Sequence, residues 1–188
     1  MVHFTSMEDL MKNITVFLGS RIPSNDIYLD AIGTLAQKIA EHNHTLVYGG
    51  AKVGTMGLLA DAVLKTGNRV IGIMPEVLAG KEILHPNLTE AIIVKDMHER
   101  KAKLQEIGDV FVTMPGGCGT MEEIFEVITW NQIGVHNKPY CFINVDNFYQ
   151  GIHDYLKNAL SLGFISQKEF DNIHFFDSVE ALFESNLV

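Results

Sequence analysis

The chain has 188 residues, 47% of them hydrophobic and 20% charged, with a formal net charge of −9. That length suffices for a full core, and the acidic balance, with no run of Lys or Arg, argues against a nucleic-acid surface. Cys118 and Cys141 make neither a disulfide framework nor a zinc-ligand spacing, and no apolar run reaches the roughly 18 residues of a membrane span.

The expectation is therefore a cytoplasmic protein without a metal, a membrane partner or a nucleic-acid partner. Residues 1–12 include Glu8, Asp9 and Lys12 and lack the apolar block of a secretory signal, so they read as a short leader to one domain over 1–188.

From there, strand-length apolar runs alternate with amphipathic stretches of helix length. Ile14–Leu18 ends in Gly19-Ser20-Arg21 and leads to a helix expected near 24–41. Thr45–Tyr48 ends in Gly49-Gly50-Ala51 and leads to a helix near 54–66. Val70–Met74 is followed by an irregular stretch over 75–90, long enough to suggest a functional loop or lid. Ala91–Val94 precedes a helix at 97–107. Val110–Met114 precedes the turn Pro115–Thr120 and a helix at 120–134, and Tyr140–Asn144 precedes a helix at 149–162. Ile173–Phe176 and a helix from Ser178 to about Ser185 close the chain. Parallel strands joined by helical crossovers predict an α/β fold, a doubly wound Rossmann-like parallel sheet with helices on both faces.

Three strand ends carry glycines, after the first, second and fifth runs. Ligands of open α/β sheets bind outside the carboxyl ends of the strands, so three such turns build one pocket. The spacing of Gly50, Gly54 and Gly57 does not match a dinucleotide fingerprint, and no Gly-Lys-Ser/Thr triplet marks a P-loop.

The third turn, Pro115-Gly-Gly-Cys-Gly-Thr-Met-Glu-Glu123, carries the most information. A buried strand, a glycine turn and a helix start make an anion site, because unpaired N–H groups and the positive dipole end meet there. The run nevertheless ends in two carboxylates. On a helical projection Met121, Ile124, Phe125 and Ile128 form a sheet-facing arc, with Val127 and Trp130 nearly opposite. Glu123 falls between these apolar groups, and Glu122 lies on a polar stripe with Glu126 and Thr129. A carboxylate half-buried among apolar neighbours is costly unless it is paired or used. On the preceding helix, Met97, Leu104 and Ile107 define a buried stripe that contains Arg100. Its guanidinium either snorkels outward or pairs with Glu123 or a substrate phosphate.

Gly49-Gly50, Met97-His98-Glu99-Arg100-Lys101, Pro115–Glu123, Thr129–Gly134 and Lys138-Pro139 together resemble the LONELY GUY family, over about Ile14 to Ile165. Its members are cytokinin riboside 5′-monophosphate phosphoribohydrolases, often described as lysine decarboxylases. The resemblance implies a homodimer that needs no cofactor and cleaves the N-glycosidic bond of an adenine-type nucleoside 5′-monophosphate, giving free base and ribose 5-phosphate. It implies Arg100 and Glu123 as the catalytic pair. It also implies substrate or phosphate contacts at Gly19, Ser20, Gly49, Gly50, Met97 and Lys101, and along Pro115, Gly116, Gly117, Cys118, Gly119 and Thr120. Arg21, where the family commonly has a small residue, and Ala51, in place of a third glycine, depart from its pattern.

Residue chemistry narrows the alternatives. A thiolate nucleophile at Cys118 would suit a helix start but has no histidine nearby in sequence. His42-Asn43-His44 reads as a solvated loop before a strand. Lysine decarboxylation needs pyridoxal phosphate on a lysine, for which the chain offers no distinctive context. A nucleotide-binding module that does not turn over is the remaining alternative, and Glu123 beside a phosphate argues against it.

Overall fold

A computed structural model describes residues 11–79 and 83–188, so most of the expected leader lies outside the described residues. Seven strands form one parallel sheet: β1 (Asn13–Phe17), β2 (Thr45–Tyr48), β3 (Val70–Pro75), β4 (Glu90–Val94), β5 (Val110–Thr113), β6 (Tyr140–Ile143) and β7 (His174–Phe176). The order is β4-β3-β2-β1-β5-β6-β7. The chain thus winds outward from β1 in one direction as far as β4, then returns to the other side of β1 with β5. The reversal opens a crevice at the carboxyl ends of β1 and β5, and the first and third glycine turns lie there.

The helices are α1 (Asp26–Glu41), α2 (Gly54–Lys65), α3 (Glu76–Ala79), α4 (Met97–Ile107), α5 (Cys118–Gln132), α6 (Gln150–Ser161), α7 (Gln167–Asp171) and α8 (Val179–Glu184). Alternating strand residues feed two cores. Ile14, Val16, Val110 and Val112 pack on one face with Leu35 and Ile39 of α1, Leu59 and Val63 of α2 and Leu182 of α8. Phe17, Phe111, Tyr140 and Phe142 pack on the other with Leu104 of α4, Ile124 and Val127 of α5 and Leu156 of α6. Strands buried on both sides explain the continuous apolar runs in the sequence.

Several expectations need correction. Val127 is fully buried against the sheet beside Ile124 and Ile128, while Phe125 is only half-buried, so the sheet-facing arc of α5 is rotated towards Val127. On α4 the buried residues are Arg100, Lys101, Leu104 and Gln105; Met97 is exposed and Ile107 half-buried. His44 is buried rather than solvated, its ring near those of His42 and Phe183. Within 75–90, the described residues 75–79 and 83–90 are more ordered than a loop. Pro75 ends β3, α3 follows, and residues 83–85 lie along the second glycine turn through Lys52 N–H to Ile83 O at 2.8 Å and His85 N–H to Gly50 O at 2.9 Å.

Candidate active site

The helix after the third glycine turn begins at Cys118, two residues before its expected start, so Cys118, Gly119 and Thr120 form the first turn of α5. Its N-cap is Gly117, no side chain caps it, and the first turn has no acidic residue. By contrast Asn25 caps α1 and Asp96 caps α4. The leading amides of α5 are therefore free to bind a ligand, and the dipole end favours an anion. α2 starts in the same uncapped way behind Val53, and Thr55 of its first turn donates to Gly19 O at 2.7 Å. Tyr149 steadies the α5 turn from the β6 side, donating its hydroxyl to Met114 O at 2.7 Å.

These turns border a cleft of about 700 Å³ that takes in Gly19, Ser20, Arg100, Pro115 through Thr120, and Glu123. A contiguous apolar recess of about 470 Å³, which shares Ser20 and Arg100, is lined by Gly49, Ala51, Met74 and Ile83.

Arg100 and Glu123 meet at the floor. Arg100 Nη1 donates to Glu123 Oε1 at 2.9 Å, and its Nε donates to Ile73 O at 3.0 Å. Both side chains are nearly dry, at 10% and 12% exposure, so the guanidinium pairs with Glu123 and does not snorkel outward. Burial pushes the Glu123 carboxyl above its ordinary range. Arg100 pulls it back down, Glu122 adds an upward push, and the net direction is up. Arg100 thus offsets only part of the effect of burial.

Gly49 explains how the arginine fits. A Cβ there would lie 1.9 Å from Arg100 Nη2, so Gly49 makes room for the guanidinium. Gly50, by contrast, packs on Gly72 of β3 and does not border the cleft.

Met97 and Lys101 also lie outside the cleft lining. Lys101 is buried between α4 and α5, where it pairs with Glu122 and, at 3.2 Å, with Glu126. It clamps the two helices that carry Arg100 and Glu123. The far wall was not anticipated: Ile22, Tyr28, Thr55 and Phe148 line it. Phe148 follows Asp146 and Asn147, both in left-handed backbone at φ 53° and 56°. These residues tolerate that conformation and turn the β6 strand end without a glycine.

A family model described as a possible lysine decarboxylase matches residues 56–185. One cytokinin riboside 5′-monophosphate phosphoribohydrolase of Arabidopsis thaliana is 44% identical over 155 residues, which cover 82% of this chain and 73% of its own. Its counterpart from Rhodococcoides fascians is 43% identical over 156 residues, covering 82% and 79%. The chain belongs to the LONELY GUY family. Solved structures extend the fold of this LONELY GUY chain beyond its sequence relatives. A molybdenum cofactor binding protein from Rippkaea orientalis has a TM-score of 0.69 at 23% identity, covering 93% of this chain and 94% of its own. The molybdenum cofactor carrier protein of Chlamydomonas reinhardtii has a TM-score of 0.67 at 17% identity, with the same coverage. At that identity the likeness concerns the fold.

Proposed function

We propose that the chain hydrolyses the N-glycosidic bond of a purine nucleoside 5′-monophosphate, with adenine or an N6-modified adenine as the base. Water adds at C1′, the C1′–N9 bond breaks, and free base and ribose 5-phosphate leave. The phosphate sits on the α5 turn, Gly116 to Thr120, with Gly19 and Ser20 alongside. Charge-assisted bonds there contribute about 1.5–3 kcal/mol each. This places the sugar over the start of α5, within reach of Glu123 one helical turn further on. Bond cleavage builds positive charge on the ribose ring, which the carboxylate stabilises, and the same group takes the proton of the attacking water, balancing the proton that the departing base gains. Arg100 orients Glu123 and offsets its burial.

The observation that carries this reading is a dry carboxylate, tied to Arg100 at 2.9 Å, on the helix whose uncapped start faces the same cleft. A pure phosphate binder gains nothing from that repulsion. Decarboxylation is disfavoured because no lysine among the described residues lines either cavity. Side-by-side assays of ribose 5-phosphate release from AMP, an N6-prenylated AMP, GMP and CMP test the proposal. Release from the adenine nucleotides supports it, and tight binding without release would refute it.

The same reading includes a homodimer in the cytoplasm. At the far end of α5, Trp130 is half-buried, and beyond it Ile133 and Val135 are 68% and 60% exposed. A second copy would cover this apolar end, and a monomeric elution volume at micromolar concentration would contradict it. Both cysteines are free thiols, which suits a reducing compartment.

A further inference from the structure

Most positive charge near the cleft is already committed. Arg100 is bonded to Glu123 and Ile73 O, and Lys101 to Glu122 and Glu126. Among the described residues lining either cavity, the remaining cation is Arg21. Its guanidinium makes no hydrogen bond or ion pair with another described residue. The backbone beneath it is nonetheless fixed. Gly54, at φ +60°, lies so close under this turn that a Cβ there would be 2.2 Å from Ser20 C and 2.4 Å from Arg21 N. The turn also touches the anion site, since a Cβ on Gly19 would sit 3.7 Å from Gly116 Cα. An exposed cation is thus anchored beside the uncapped helix start and borders both cavities.

A 5′-monophosphate brings close to two negative charges. The start of α5 offers about half a positive charge, and Glu123 opposes the anion from the next turn. The site is short of positive charge by about one cation. Resting on the reading above that the α5 turn holds the phosphate, we propose that Arg21 is a phosphate-binding residue whose guanidinium folds over the 5′-monophosphate from the β1 side. A planar fork suits two phosphate oxygens. The phosphate does not react, so the contact is equal in the bound substrate and the transition state. Losing it raises KM and leaves kcat nearly unchanged.

The test uses the full chain as wild type, Arg21→Ala and Arg21→Lys. Steady-state release of base from AMP is measured together with calorimetric titration of ribose 5-phosphate. For Arg21→Ala, KM for AMP is expected to rise about 10- to 100-fold, and affinity for ribose 5-phosphate to fall by a similar factor. Arg21→Lys should recover part of both losses. Because Arg21 is exposed, thermal melts should match wild type. Unchanged ribose 5-phosphate affinity in Arg21→Ala overturns the proposal, while wild-type turnover in the same experiment would leave the hydrolytic reading standing. Arg21-dependent binding without base release would do the reverse. A wild-type chain that binds no ribose 5-phosphate at millimolar concentration overturns both.

Discussion

Gly49→Ala isolates the Arg100–Glu123 pair without altering either member. The new Cβ would start 1.9 Å from Arg100 Nη2, whereas an ordinary contact begins near 3.4 Å. The guanidinium must therefore retreat by about 1.5 Å. It is held by two bonds, to Ile73 O at 3.0 Å and to Glu123 Oε1 at 2.9 Å, and neither survives such a shift intact. Charge-assisted bonds of this kind contribute about 1.5–3 kcal/mol each. The arginine can relax at its flexible end, and alanine lowers the conformational entropy of the unfolded chain, so a net loss of about 2 kcal/mol is expected. For a chain of this size that lowers Tm by about 4–8 °C. Turnover should suffer more. A displacement of about 1 Å at a positioned catalytic group can cost about 100-fold, and that is the expected fall in kcat for base release from AMP. The double variant Gly49→Ala with Arg100→Ala should be no slower than Arg100→Ala alone, because both act through one contact. Wild-type kcat in Gly49→Ala would refute this reasoning.

Three further outcomes are expected. Glu123→Gln should bind AMP with near-wild-type affinity while losing about 100- to 10,000-fold in kcat, and near-normal turnover would remove Glu123 from its role. Burial raises the Glu123 pKa, and the reaction needs the ionised form. The acid limb of kcat/KM should therefore have its half-point above the ordinary glutamate value of 4.5, with activity falling as pH drops through it; a profile flat down to pH 4.5 would contradict this. Lys101→Met should lower stability by about 1–2 kcal/mol, since it leaves Glu126 without its partner and loosens the join between α4 and α5; an unchanged melting curve would count against the clamp.

The sheet and its crossovers were legible in the sequence because strands buried on both faces are written as continuous apolar runs. Helix α4 has the bounds expected from the sequence, with Asp96 capping one end and Gly108 following the other. Arg100 and Glu123 stood out because a charge on an apolar helix stripe is expensive without a partner, and one ion explained the other. What escaped the sequence depends on contacts between distant segments. The arginine that occupies the space beside Gly49 comes from another element, so the room this glycine makes for Arg100 has no local signal. Lys101 sits next to Arg100 in the chain, yet one helical step turns it from the cleft to Glu122 and Glu126. Phe148 carries no local signal, since the turn before it uses Asp146 and Asn147 instead of a glycine, and Tyr28 reaches the same wall from the first turn of α1. The short helices α3 and α7 are too brief to leave a periodic pattern.

A crystal structure of Glu123→Gln soaked with AMP bears most directly on the whole account. The phosphate should lie on the amides of Gly116 to Thr120 with Arg21 folded over it, and C1′ should lie within about 4 Å of the amide side chain that replaces Glu123. A nucleotide whose phosphate rests elsewhere, or whose ribose faces away from position 123, would contradict the account.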